Sequence, residues 1–280
     1  MVEHQESFNP QTYWEDRLRA YPGITGVGYL GFSPQFVEMQ YYVRQLQVER
    51  ILQQVGLTDL AQASVLDVGS GTGIWLDFWH RHGAKHVTGL DFAQPSIDRL
   101  KQQFPDDQVI QADLSVIPLP LAVTAQFDII SAFDVLLHIV DPDRLRCAIA
   151  NLAAHCAPGG RLLISDPITC GHGYVPKFAY AVHNKVRTLA EYRAILMEYS
   201  FEIEVFQPAT VFLNNPLEAT SYLAFLAYKA CWKITRLWGR SRRWSQLIGP
   251  HAARWDQIAC RLCTGHRAPT AKVLLARKRH

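Results

Sequence analysis

Short apolar runs alternate with amphipathic stretches through the middle of the chain. The runs are rich in Val, Ile and Leu and predict five strands, at 64–68, 86–91, 108–112, 127–132 and 161–165. The stretches have apolar residues at helical spacing and predict three helices, at 74–82, 95–104 and 142–156. Such alternation is typical of an α/β protein whose doubly wound parallel sheet carries helices on both faces. A ligand cleft is expected outside the carboxyl ends of those strands.

The pattern before residue 57 is different. Residues 8–24 form a short amphipathic segment that ends in a Pro-Gly turn, and Gln35 to Val55 predicts one long helix. Tyr41, Tyr42 and Val43 are too close in sequence to share one helical face, so some of these rings should point away from the core, into a pocket. We expect residues 1–56 to form an N-terminal cap and first helix, and residues 57–280 to form the core.

The pattern changes again after Asp166. Pro167 to Arg187 is too long for a simple connection and predicts a substrate-pocket loop or lid. Thr188 and Glu191 have the spacing of a capping box, which predicts a helix to about Tyr199. Three further segments predict strand pieces, at 202–206, 210–213 and 272–277. Residues 214–268 are therefore expected to form a helical, lid-like insertion before the closing strand.

A glycine-rich turn follows the first strand of the alternating region. Gly69, Gly71 and Gly73 stand at alternate positions, which lets the backbone adopt positive φ and lets a ligand approach bare amides. A dinucleotide-binding turn needs a small residue at position 74, where this chain has Ile74, so that class of ligand does not fit. Asp91 closes the next apolar run, where a carboxylate can accept both hydroxyls of a ribose.

Five runs in this region resemble the motifs of the class I S-adenosylmethionine-dependent methyltransferases, in order over about residues 60 to 170. They are Val65–Gly73, Asp91–Phe92, Gln111–Leu114, Phe127–Ile139 and Ala157–Ile164. The resemblance implies S-adenosyl-L-methionine as cofactor. It also implies a Rossmann-like, mostly parallel, seven-stranded sheet with an N-terminal helical cap.

The resemblance also implies a set of cofactor-binding residues. They are Tyr13, Arg17, Asp67, Gly69, Ser70, Gly71, Gly73, Asp91, Phe92, Asp113, Leu114 and Phe133. Asp91 is expected at the ribose and Asp113 at the adenine amine. Asp67 either binds through a turn amide or water or only organises the turn. Arg17, with Tyr13, either reaches the cofactor carboxylate or is solvated beside packed rings.

Methyl transfer is an in-line displacement, so the protein mainly positions a nucleophile about 3 Å from the methyl carbon. A hydroxyl nucleophile also needs a base near pH 7. The candidates for this base are His138 and Asp134, which follow the fourth strand, and His183, in the long loop. The resembled family often has a histidine at the position of His138 without using it chemically. Asp134 and Asp166 end neighbouring strands without a third ligand, so we expect no metal site and metal-independent turnover.

Composition limits the class of protein. A chain of 280 residues, 49% hydrophobic and 19% charged, can bury a full α/β core. The first residues are polar, and no uncharged apolar run reaches the ~18 residues of a membrane span, so neither secretion nor a spanning helix is expected. Six cysteines without framework spacing favour reduced thiols in a cytoplasm. Cys260 and Cys263 have the spacing of half a zinc site, but no second pair exists.

Charge is distributed unevenly along the chain. The net charge is +3, yet thirteen Lys or Arg residues against one acid follow from Lys229 onward, which leaves −9 on the preceding part. The regular spacing of five cations predicts one basic stripe on a single helix: Lys229, Lys233, Arg236, Arg240 and Arg243. Either this segment is a lid whose apolar face at Tyr222–Leu226 lines the pocket and whose cations face the acidic remainder, or it contacts an anionic membrane surface.

These observations favour a methyltransferase that acts on a small, apolar or amphiphilic metabolite, with oxygen slightly preferred as acceptor atom. No nucleic-acid partner is expected. Two alternatives stay open: a non-catalytic S-adenosylmethionine-binding partner or sensor, and an RNA methyltransferase suggested by the basic C-terminal stretch.

Overall fold

The computed structural model describes residues 8–171, 173–175 and 184–279. The candidate base His183 and much of the 167–187 loop lie outside these residues. The strands are β1 Ser64–Val68, β2 His86–Asp91, β3 Gln108–Gln111, β4 Phe127–Phe133, β5 Cys156–Thr169, β6 Arg187–Thr188, β7 Phe201–Pro208 and β8 Ala271–Lys278. The helices are α1 Pro10–Ala20, α2 Pro34–Gln54, α3 Ile74–Arg81, α4 Gln94–Gln103, α5 Pro142–His155, α6 Leu189–Glu198, α7 Tyr222–Gly239 and α8 Arg242–Leu262, with 3₁₀ turns at Ile24–Gly26 and Leu136–His138.

The sheet has the order β3-β2-β1-β4-β5-β8-β7, and the short β6 pairs with β5 beside this path. Strands β1 to β5 run parallel, whereas β8 is antiparallel to both β5 and β7. The predicted α/β fold, with a mostly parallel seven-stranded sheet, is therefore confirmed. The expected division of the chain at residues 56 and 57 stays a prediction.

Alternation along the strands divides the core between the two faces of the sheet. Leu66 and Ile130 pack with α5 and α6, whereas their neighbours Val65 and Ile129 pack with α2 and α3 on the opposite face. Because both faces are covered, each central strand is apolar throughout, and this is why the strands were readable as continuous hydrophobic runs.

Helices α7 and α8 form a hairpin that packs on α2. Phe36 of α2 contacts Trp232 and Trp238 of α7, and Ala253 of α8 belongs to the same cluster. None of the helices in the described ranges combines the length and apolar character needed to cross a membrane.

The prediction of a strand piece at 210–213 is wrong. The backbone there bends, and the N–H groups of Val211, Phe212 and Leu213 donate to the carboxylate of Asp256 on α8. A buried carboxylate thus satisfies the donors that a strand would have given to a neighbouring strand.

The prediction of a single basic stripe on one helix is also wrong. Helix α7 ends at Gly239, whose carbonyl accepts from the Ser33 N–H at 2.9 Å, and Ser241 caps α8. A Cβ at Gly239 would lie 2.8 Å from Phe36 Cδ2, so a larger residue at this turn would collide with α2. Arg240 therefore lies between the helices and Arg243 on the second.

Candidate active site

A cavity of ≈ 1060 Å³ opens at the carboxyl ends of β1, β2 and β4. Most of the predicted site residues lie in its wall: Arg17, Gly69, Ser70, Gly71, Asp91, Phe92, Asp113, Leu114, Phe133, Asp134 and His138. Tyr13, Asp67 and Gly73 do not. Small-molecule sites measure roughly 300–1000 Å³, so this cavity has room for a cofactor together with an acceptor.

The turn after β1 has the geometry that its glycines predict. Gly69, Gly71 and Gly73 have φ of 68°, 55° and 83°, in the left-handed region. A Cβ at Gly69 would lie 2.4 Å from Val135 Cγ2, and one at Gly73 would lie 2.6 Å from Phe104 Cε2. Gly73 thus has a packing role at the start of α3, while Gly69 and Gly71 leave the backbone bare towards the cavity.

Asp91 ties the end of β2 to this turn. Its Oδ2 accepts from the Gly71 N–H at 2.8 Å and its Oδ1 from the Ala93 N–H at 2.9 Å. Burial raises the pKa of this carboxyl, and the two N–H donors partly offset that effect. A carboxylate has about four lone-pair positions, so acceptor capacity remains on the side that faces the cavity.

Asp67 lies beneath the cavity rather than in its wall. Its side chain is buried, and its Oδ1 accepts from Ser131 Oγ at 2.6 Å; Trp79 Nε1 donates to the same hydroxyl. Burial raises the pKa of Asp67 to about 7. This residue reaches a ligand only through the turn that follows it.

Asp113 is held by two residues that the sequence analysis missed. Its Oδ1 accepts from the backbone N–H and the hydroxyl of Ser115, at 2.8 and 2.6 Å, and its Oδ2 accepts from Arg144 of α5. Arg144 and Ser115 also line the cavity. The helix brings Arg144 to Asp113 across 31 positions, a separation that no local pattern reveals.

The N-terminal helix contributes one wall. Arg17 Nε donates to the Gly26 carbonyl at 2.7 Å, Nη1 donates to the Tyr13 hydroxyl at 3.0 Å, and Nη2 donates to the Gly28 carbonyl. Arg17 lines the cavity, and Tyr13 supports it from behind. Trp14, which follows Tyr13 on α1, lines the cavity too and lies edge-on to His138, with ring centroids 5.0 Å apart.

Asp134 forms an ion pair with a further residue that the sequence analysis missed, Arg44 of α2. Arg44 Nη1 donates to Asp134 Oδ2 at 2.6 Å, and Nη2 donates to Ser165 Oγ at 3.1 Å. Burial lowers the pKa of Arg44, but Asp134 together with Tyr41 and Asp166 outweighs this effect, so that the pKa is raised. Asp134 has φ 58°, a left-handed value that is costly for a residue with a side chain and is found at functional sites.

Asp166, the other carboxylate considered for a metal, is fully buried outside the cavity wall. Tyr192 donates its hydroxyl to Asp166, and burial raises the pKa of the acid to about 8, so it is largely neutral at pH 7. In the described part of the chain no three His, Cys, Asp or Glu residues are placed to hold a metal ion. Cys260 is buried against Asp256, and none of the six cysteines forms a disulfide.

The cavity wall also contains rings and amides from α2 and from the segments at 27–30 and 214–217. Tyr29, Gln40, Tyr41, Asn214 and Asn215 lie there. The expectation that some ring of α2 would face a pocket is met by Tyr41, while Tyr42 is exposed.

The prediction that an apolar face of Tyr222–Leu226 lines the pocket is wrong. No described residue of α7 or α8 belongs to the cavity wall. Leu223 is 77% exposed, and Phe225 turns towards Tyr174 instead. The connection at 214–217, which ties the hairpin to the core, reaches the cavity in its place.

Residues 39–204, well over half of the chain, match a family described as methyltransferase domain. The chain belongs to this methyltransferase family. The resemblance noted over about residues 60 to 170 is thereby confirmed. The matched residues also include most of α2, which contributes Arg44, and all of α6.

Two known methyltransferases are similar to this chain over part of their length. The ubiquinone biosynthesis O-methyltransferase of Coxiella burnetii is 33% identical over 126 residues, which cover 45% of this chain and 51% of that protein. The enzyme of the same name from Xanthomonas oryzae is 36% identical over 110 residues, covering 38% and 44%. The chain thus spans about half the length of the curated relatives it matches.

Solved methyltransferase structures share the fold. The magnesium protoporphyrin IX methyltransferase of Synechocystis, with bound S-adenosylmethionine, superposes with a TM-score of 0.56 at 15% identity, covering 98% of this chain and 99% of that one. An S-adenosylmethionine-dependent methyltransferase of Clostridium acetobutylicum gives 0.52 at 11% identity, covering 86% and 92%. At these identities the likeness concerns the fold alone.

Proposed function

We propose that the protein transfers a methyl group from S-adenosyl-L-methionine to a hydroxyl of a small amphiphilic metabolite. One observation carries the proposal: a single cavity is lined by the glycine turn, Asp91 and Asp113 and also by the Asp134–Arg44 pair and several aromatic rings. The printed name of the curated relatives supports oxygen as the acceptor atom.

The cavity wall suits this cofactor. Within the described residues, three buried polar atoms of the cavity wall have no hydrogen-bond partner: Thr72 Oγ1 beside the glycine turn, Arg44 Nε and Asn184 Oδ1. Buried polar groups normally find a partner, so such atoms favour a polar ligand. Asp91 would accept the ribose hydroxyls, Asp113 and Leu114 would hold the adenine, and Arg17 would approach the carboxylate. The bound cofactor supplies a methyl group on a positively charged sulfur.

Asp134 and His138 are our candidates for accepting the proton of the acceptor hydroxyl. Both lie in the cavity wall beyond the glycine turn. Arg44 fixes the orientation of the Asp134 carboxylate and is therefore proposed as a positioning residue. The proposal for His183 also stands, although this residue lies outside the described ranges.

The activity is tested by incubating the protein with methyl-labelled cofactor and small-molecule extracts, followed by mass spectrometry. We expect the heavy methyl group on an oxygen of an amphiphilic product. Label that appears only in RNA would favour the RNA methyltransferase alternative. Cofactor binding without transfer to any extract would favour the sensor alternative.

The proton acceptor is tested by comparing Asp134→Asn with His138→Gln. The variant that lacks the base should have a lower kcat, and its kcat should no longer fall at acidic pH. Its affinity for the cofactor should be unchanged. Glu38→Gln, an exposed change on α2 outside the cavity wall, serves as the control. If both variants keep the wild-type pH profile, neither residue is the base.

We also propose a cytoplasmic location. All six cysteines are unpaired, and two of them, Cys156 and Cys260, are buried, which suits a reducing compartment.

A further inference from the structure

Helix α7 has an exposed apolar stripe that packs on nothing in the described molecule. Leu223, Leu226, Ile234 and Leu237 are spaced by three or four residues, or by multiples of these, so they share one face, and they are 77%, 45%, 60% and 77% exposed. The opposite face is the one that packs: Trp232 stacks on Phe32.

Helix α8 repeats this arrangement. Trp244, Leu247, Trp255, Ile258 and Leu262 follow the same spacing and are all exposed, two of them above 65%. The buried face carries small and polar residues instead: Ser245 bonds to Ser33, and Gly249 lies against Met39. Helix α7 thus packs on the segment around α2 through Trp232 and Trp238, and α8 packs there through small residues, while both helices also present a row of large apolar side chains outward. Contiguous exposed apolar surface of this kind marks an interaction site.

Cations flank both stripes. Lys233, Arg236 and Arg240 are exposed beside the α7 stripe, and Arg243, Arg254 and Arg261 are exposed beside the α8 stripe. The hairpin contains one acid, Asp256, which is fully buried. Within the described ranges none of these six cations forms an ion pair, so the acidic residues described there do not pair with them.

We propose that the outer face of the α7–α8 hairpin docks on an anionic lipid surface and lies in the plane of the headgroups. Charge complementarity selects this occupant. Apolar side chains would enter the acyl boundary, and the flanking Lys and Arg residues would meet lipid phosphates. A second copy of the same face would instead bring six further cations against these six. The inference goes beyond methyl transfer and does not depend on the acceptor.

The test is flotation of the full chain with vesicles of phosphatidylcholine alone and of phosphatidylcholine with phosphatidylglycerol. We expect binding to the anionic vesicles only, weakened by high salt. A basic residue near an anionic surface contributes about 1 kcal/mol, roughly fivefold in partitioning, so Lys233→Glu with Arg236→Glu should lower partitioning at least about 25-fold. The variant Leu247→Ser with Trp255→Ser removes two exposed apolar side chains and should abolish binding.

Two matched variants control for charge and hydrophobicity. Lys85→Glu with Lys101→Glu makes the same change in net charge at exposed sites away from the hairpin, and Val123→Ser with Met197→Ser removes exposed apolar side chains elsewhere. Both should bind like the wild type. Circular dichroism and cofactor titration verify that every variant is folded.

Several outcomes would overturn the proposal. These are equal binding to neutral vesicles, no binding to either kind, or an equal loss in the control variants. A dimer in light scattering that Leu247→Ser with Trp255→Ser dissociates, without any vesicle binding, would assign the face to a second copy instead.

Discussion

At the scale of single residues, Asp91 connects cofactor recognition to the stability of the turn. Asp91→Ala removes the acceptors for the Gly71 and Ala93 N–H groups as well as those offered to the cavity. We expect a loss of affinity for S-adenosylmethionine of about tenfold to a hundredfold and a loss of unfolding free energy of about 1–3 kcal/mol. Titration calorimetry and denaturant unfolding measure the two effects.

The control for this prediction is Asp98→Ala, an exposed carboxylate on α4. It should change neither quantity appreciably. Asp91→Asn keeps one acceptor oxygen and should fall between the wild type and the alanine variant. Unchanged cofactor affinity in Asp91→Ala would remove this residue from the proposed site.

Asp67 makes stability depend on pH. Burial raises its pKa from 3.8 to about 7, so the folded state keeps a proton that the unfolded state loses at lower pH. The stability contributed by the protonated form is complete below pH ~4 and is lost as the pH rises to ~7. Asparagine cannot ionise, so the unfolding free energy of Asp67→Asn relative to the wild type should rise across this window by up to about 4 kcal/mol.

Denaturant unfolding at several pH values measures this difference. The control is Asp106→Asn, which changes an exposed acid. Its unfolding free energy should depend on pH in the same way as that of the wild type. A difference between Asp67→Asn and the wild type that is independent of pH would show that Asp67 is ionised throughout the window.

At the scale of elements, the turn between β1 and α3 is constrained by conformation and by space. Gly69 and Gly83 both have positive φ, 68° and 92°, but only a Cβ at Gly69 would collide, with Val135 Cγ2 at 2.4 Å. We expect Gly83→Ala to cost about 1–2 kcal/mol for its backbone conformation alone. Gly69→Ala should cost more and should also weaken cofactor binding.

A double-mutant cycle separates the two terms. Val135→Ala removes the colliding methyl group, so the combination with Gly69→Ala should recover part of the lost stability but not the backbone cost. If Gly69→Ala is no worse than Gly83→Ala, Val135 does not restrict the residue at position 69.

At the scale of the whole molecule, the cavity couples ligand binding to global stability, because its wall is built from the N-terminal cap, the sheet edge and the connection at 214–217. A ligand present at 100 times its Kd should raise the unfolding free energy by about 2.7 kcal/mol. We expect this of S-adenosylhomocysteine and of S-adenosylmethionine, and not of a nicotinamide dinucleotide. Denaturant unfolding with each ligand measures it, with Asp91→Ala as a weakened control.

The sequence by itself determined the parts of this protein that depend on local periodicity and on residue type. Continuous apolar runs identified the central strands because helices cover both faces of the sheet. Gly69 and Gly71 with Asp91 identified the ligand-binding edge because strand ends in parallel sheets meet there. The methyltransferase family could be inferred for the same reason, since its motifs are these strand ends.

The tertiary structure alone decided which distant side chains meet. Arg44 reaches Asp134 across 90 positions and Arg144 reaches Asp113 across 31, and no periodicity records such pairs. Asp256 turned an apolar segment with strand-like composition into a bend, because a buried carboxylate satisfied its backbone donors. The basic stripe was broken because α7 ends at Gly239, whose carbonyl accepts from the Ser33 N–H, and α8 begins at Arg242. Helical spacing states which residues share a face, but packing decides where the helix stops and which face is left for solvent or a partner.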